Sequence, residues 1–238
     1  MRDVVWLIAD LECRATLLGF LERPNFHLPM GCAPFCVDPN LDFLRDEKGK
    51  DPGVWKNAGQ LLRSKCGTHK HALVILDQAF EGSPGATQIE SDIVSDMTSQ
   101  FGGWRRDQIE AIVIQPELEA WIWQDNPHVE AAFGYAGRPP TLRNKLAATA
   151  WDVRRQRTLP SDAANNPPLW PAGRPKPPDP KAAVEATCYL CHSDPPSAVF
   201  NEITSNIGIG RCVDPAFLRL RDTLRRWFPP HARAGGAV

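Results

Sequence analysis

The chain of 238 residues lacks a long apolar run, a net charge of one sign and the usual signature loops of nucleotide or serine chemistry. Its longest apolar stretches, Val4 to Ala9 and Ala72 to Leu76, fall far short of the roughly 20 residues a membrane helix needs, so no membrane partner is expected. Twenty-seven Lys and Arg against 28 Asp and Glu leave a formal charge of −1, so any polyanion site must be a local patch. Neither Gly-x-x-x-x-Gly-Lys-Ser/Thr nor Gly-x-Ser-x-Gly occurs, which removes ATP and serine hydrolysis by those routes. Charges at Asp3 and Asp10 leave no secretory apolar segment, and the expected location is cytoplasmic, with the seven cysteines reduced. What is present, 42% hydrophobic and 23% charged residues, is the composition of a folding globular chain.

Three continuous apolar segments, Val4–Ala9, His71–Leu76 and Glu110–Ile114, read as strands buried on both faces of a parallel sheet. Helical spacing follows each. Ala15, Leu17, Leu18 and Leu21 follow the first strand. Ile89, Ile93, Val94 and Met97 follow the second, behind a capping box of Thr87 and Glu90, with a stop near Gly102-Gly103. Leu118 to Trp123 follow the third, with Pro116 at the first helical position. This alternation predicts an α/β fold, a mostly parallel central sheet with flanking helices. Ala33–Val37 reads as a further strand and Thr141–Arg157 as a further helix. Leu159 to Pro180 holds eight prolines in 22 residues and reads as a loop or linker. Beyond it, Lys181–Leu190, Ala198–Thr204 and Pro215–Phe228 predict a helical C-terminal element. The expected organisation is an α/β domain over 1–158, a Pro-rich linker over 159–180, the helical element over 181–230 and a disordered tail over 231–238.

Ligands of an open parallel sheet bind outside the carboxyl ends of its strands. Acids follow all three strands there: Asp10 with Glu12, Asp77 with Glu81, and Glu117 with Glu119. Converging carboxylates repel unless a hard cation neutralises them, which points to Mg²⁺, or Mn²⁺ in its place, and to phosphodiester hydrolysis by a metal-bound water. The competing reading is structural: Asp10 and Asp77 as caps, and Glu117 as a first-turn acid favoured by the helix dipole. Glu117 and Glu119 lie two apart and cannot share a helix face.

The segments Val4-Val-Trp-Leu-Ile-Ala-Asp10, His71-Ala-Leu-Val-Ile-Leu-Asp77, Pro116-Glu-Leu-Glu-Ala-Trp-Ile-Trp123 and the tail from Arg211-Cys-Val-Asp-Pro-Ala-Phe to Pro229 resemble a small bacterial family. It is the fourth component of the methylation-associated defence system, a phage-resistance locus that contains a DNA methyltransferase. The resemblance implies an accessory subunit whose partners are the other subunits of the system. More distantly, the strand-acid pattern is similar to Toprim-like domains, in which a glutamate after strand one and an Asp-x-Asp after a later strand hold Mg²⁺ for work on DNA or RNA. Over 1–158 that likeness would make Glu12 the first glutamate and Asp77 the first aspartate, with catalysis resting on Asp77, Glu117 and Glu12. It also has departures: Ala79 stands where the second aspartate belongs, and Cys13 stands where a glycine usually follows the glutamate. These leave open a nuclease completed by Glu81 or Glu117, or a non-cutting adaptor.

Cys188-Tyr-Leu-Cys191-His192 spells a haem-attachment motif, but that chemistry goes with export. A zinc site of Cys188, Cys191 and His192 with Cys212, or with Cys32 and Cys36, is chemically reasonable; buried reduced thiols are the preferred reading. Two arginine clusters could contact phosphates, Arg154, Arg155 and Arg157 in one and Arg219, Arg221, Arg225 and Arg226 in the other, although Asp152 and Asp222 dilute them. Trp121 and Trp123 read as core rather than as base-stacking groups.

Overall fold

A computed structural model describes residues 1–46, 48, 50–99, 103–124, 126–162, 164–193, 196–210 and 212–230. In chain order it holds β1 (Arg2–Ile8), α1 (Leu11–Leu21), α2 (His27–Met30), β2 (Phe43–Arg45), α3 (Lys50–Leu62), β3 (His69–Asp77), α4 (Ala86–Thr98), β4 (Ile109–Ile114), α5 (Glu119–Ile122), α6 (Pro127–Ala132), α7 (Leu142–Ala147), β5 (Thr149–Asp152), β6 (Arg157–Pro160), α8 (Pro180–Cys191), α9 (Pro196–Asn206) and α10 (Pro215–Trp227). The tail expected over 231–238, Arg211 and Gly102 lie outside the described residues.

The chain divides into two compact units, one of residues 1–14, 21–115 and 208–238, the other of residues 15–20 and 116–207. The first unit is α/β. Its four strands are all parallel, in the order β2-β1-β3-β4, with Trp6 opposite Phe43 and Leu73, and Leu73 opposite Glu110. Alternation along the strands sends Val5, Leu7, Ala72, Val74, Leu76, Ala111 and Val113 into one core with Val54, Ala58 and Leu62 of α3 and Ile89, Ile93 and Met97 of α4. Gly59 lets those two helices approach closely: its N–H donates to Asp96 Oδ2 at 2.7 Å, and a Cβ there would lie 2.8 Å from the Asp96 carbonyl oxygen.

The opposite face of β4 carries Glu110, 4% exposed at the start of the strand. A buried carboxylate needs compensation, and α10 supplies it. Arg219 Nη2 donates to Glu110 Oε1 at 2.7 Å, Arg226 Nη2 donates to Oε2 at 2.6 Å, and Arg219 Nη1 also pairs with Glu90. Glu90 in turn accepts the Val113 N–H, one outward donor of the edge strand β4. Asp42 forms a second buried centre, bound by Arg2, by His69 Nε2 at 3.2 Å and by the Asp38 N–H at 2.7 Å. Burial alone would raise the Asp42 carboxyl; these hydrogen bonds hold it below its ordinary value.

The second unit packs α5 to α9 and the β5–β6 hairpin around Trp121, Trp123, Phe133, Trp170 and Phe200. Trp121 and Trp123 are core, as their apolar neighbours suggested; Trp123 stacks on Phe133 and donates its indole N–H to the Pro180 carbonyl. The Pro-rich stretch is ordered by packing: Leu169, Trp170, Pro177 and Pro180 are buried, and Trp170 Nε1 donates to the Arg174 carbonyl at 2.9 Å.

Several expected elements are corrected. Ala33–Val37 is irregular chain, and the edge strand is Phe43–Arg45. Thr141–Arg157 is not one helix but α7 followed by β5 and the start of β6. Helix α4 has Gly85 as its N-cap with no side-chain bond, so Thr87 and Glu90 form no capping box; Glu90 serves Val113 and Arg219 instead. Pro116 precedes α5 by three residues and does not start it.

Candidate functional site

Strands β1 and β3 are neighbours and end side by side, Ile8 opposite Ile75, so the acids that follow them share one rim of the first unit. Asp10 accepts the Cys13 N–H at 2.8 Å through Oδ1, which makes it the N-terminal cap of α1. Glu12 occupies the first turn of α1, where the helix dipole favours an acid. At the end of β3 the Asp77 N–H donates to Asp51 Oδ1 at 2.8 Å, so α3 brings a further carboxylate to this rim. Asp51 was not apparent from the sequence. It sits before Pro52 in the first turn of a helix whose two glycines, Gly53 and Gly59, blur the apolar period. The acid-Pro pair at a helix start was the available signal.

Cys13 lies within the field of all four groups. Burial pushes its thiol well above the ordinary value, and Asp10, Asp77, Asp51 and Glu12 push it in the same direction. Such a thiol stays protonated and is a poor nucleophile.

The other proposed ligands have different surroundings. Glu81 is exposed in the loop after β3. Glu117 and Glu119 belong to the second unit. There Glu117 Oε1 accepts the Lys181 N–H at 3.2 Å, in the first turn of α8, alongside the Asp179 cap on Ala182. Burial raises the Glu117 carboxyl, and the Lys181 amide and ammonium partly offset this. Glu119 opens α5 and is buried.

Among the described residues, no three His, Cys, Asp or Glu side chains are gathered so that they could hold one metal ion. Cys188 and Cys191 form no disulfide and burial raises both thiols, and His192 closes α8 in a left-handed conformation. Of the two arginine clusters, the one on α10 is structural in large part. Arg219 and Arg226 bind Glu110, and Arg225 donates to the Met30 carbonyl while pairing with Asp222.

No protein-family model matches the chain, and neither does any curated protein or any solved structure. No helix among the described residues is long and apolar enough to cross a membrane.

Proposed function

We propose that the chain is an accessory subunit of a bacterial methylation-associated antiphage defence system, a Toprim-like relative that assembles with the other subunits and does not itself cut nucleic acid. The sequence resemblance supplies the system and the Toprim-like class. One observation carries the non-catalytic role: carboxylates at the rim where a Toprim-like site would lie hold backbone amides, Asp10 that of Cys13 and Asp51 that of Asp77. Ala79, exposed, stands where the second aspartate of that site belongs. The expected result for purified chain with Mg²⁺ or Mn²⁺ and labelled DNA or RNA, alone or with the other subunits, is no cleavage attributable to it.

A second reading, metal-dependent phosphodiester cleavage, is favoured by the shared rim of β1 and β3, where Asp10, Glu12, Asp51 and Asp77 all bear electrostatically on Cys13. Cleavage that persists with wild-type protein and disappears with Asp77→Ala would replace the first reading with this one.

A further inference from the structure

The two arginine clusters part company in the structure. On α10, Arg219 and Arg226 are engaged by Glu90 and Glu110, whereas Arg154, Arg155 and Arg157 are all exposed at the tip of the β5–β6 hairpin. The strands pair antiparallel with Asp152 opposite Arg157, and residues 153–156 form the turn. That turn is held in one shape. Arg155 N donates to the Asp152 carbonyl at 3.2 Å, Gln156 Nε2 donates to the Val153 carbonyl at 2.8 Å, and Gln156 adopts a left-handed φ of 48°. Asp152 neutralises only Arg155, through a contact at 3.4 Å; among the described residues neither Arg154 nor Arg157 has an acidic partner. A chain of net charge −1 thus concentrates guanidinium groups on a few exposed residues of a preformed turn.

The same hairpin carries an aromatic contact to α8. Trp151, one position from Asp152 on β5, donates its indole N–H to Glu185 Oε2 at 2.9 Å and meets Tyr189 edge-on at 5.8 Å. Tyr189, on α8, is 49% exposed, the only aromatic among the largely exposed apolar side chains of the described residues. Arginines track phosphates in any sequence, and an exposed ring offers a face to an unstacked base.

We propose that the hairpin tip and Tyr189 form a binding surface for single-stranded nucleic acid, with Arg154, Arg155 and Arg157 on phosphates and Tyr189 under a base. This surface is independent of the acidic rim and requires no metal. It holds whether the chain is an adaptor or a nuclease.

The test is fluorescence anisotropy of labelled oligothymidylate with the full chain in chelator, over a range of salt concentrations. Single-strand binding weakens with salt by about 0.7 log units per log unit for each phosphate contact, so three arginines contribute a slope of about 2. The triple variant R154A/R155A/R157A, altered only at exposed positions, should lose that slope and bind at least tenfold more weakly at low salt. The triple lysine variant should keep most of the slope. Tyr189→Ala should weaken binding about fivefold or more while leaving the slope unchanged, since stacking is worth about 1–3 kcal/mol per base. Undetectable binding by wild type, equal binding by the alanine triple, or stronger binding of duplex or of anionic vesicles than of oligothymidylate would each overturn the proposal.

Discussion

The Glu110 centre makes an asymmetric prediction. Its carboxylate side chain is 5% exposed, whereas the side chains of Arg219 and Arg226 are 38% and 57% exposed. Deleting the acid leaves two cations that can turn toward water, so Glu110→Met should cost only about 1 kcal/mol, the order of a partly exposed pair. Deleting both bases leaves an uncompensated anion within the sheet. Breaking a buried pair in that way costs about 3–5 kcal/mol, and the exposure of the arginines places R219M/R226M near the lower figure. The triple variant E110M/R219M/R226M removes the buried charge and its partners together and should return to within about 1 kcal/mol of wild type, because packed apolar groups replace such centres at little cost. Urea unfolding followed by circular dichroism reads this directly. With a slope of about 2 kcal/mol per M, the double variant should shift the midpoint down by about 1.5 M and the triple by less than about 0.5 M. The reasoning fails if the double variant is no less stable than Glu110→Met, or if the triple is the least stable of the three.

Two further outcomes follow from the same geometry. If Asp10 is a cap, Asp10→Asn should hold stability near wild type and Asp10→Ala should lose about 1 kcal/mol, read by thermal unfolding, whereas a ligand-only aspartate would tolerate both. His71 stacks on Trp227 at 4.4 Å, and burial lowers its pKa, as does Lys70, while Asp107 and Asp3 oppose and Arg226 assists. Burial likewise lowers His69 against the pull of Asp42. Folded molecules then bind fewer protons than unfolded ones as pH falls below about 6.5, so stability declines across that range. His71→Phe, which keeps the stack, should flatten part of the decline in urea midpoints measured from pH 7.5 to 5.5; an unchanged profile would refute the assignment.

How much of this was legible follows from distance along the chain. β1, β3 and β4 were readable because strands covered on both faces write continuous apolar runs. β2, three half-buried residues at the edge, writes no such run, whereas Ala33–Val37 is mostly apolar and yet irregular. The β5–β6 hairpin was hidden because its turn carries no Gly, Asn or Pro; Gln156 takes the left-handed position instead. At the site, Asp10, Glu12 and Asp77 were legible, whereas Asp51 and the partners of all of them were not. Asp10 bonds three residues ahead, which a local cap explains, but Asp51 reaches Asp77 over 26 residues, Glu117 reaches Lys181 over 64 and Arg219 reaches Glu110 over 109. Only the folded chain brings such pairs together. The same limit applied to the arginines, alike in sequence and opposite in use.

The account stands most directly on phage protection by the intact locus when this chain carries D77A/E117A. The adaptor reading predicts protection equal to wild type, with the variant confirmed as folded by circular dichroism. Loss of protection by a folded variant would contradict it and return these carboxylates to chemistry.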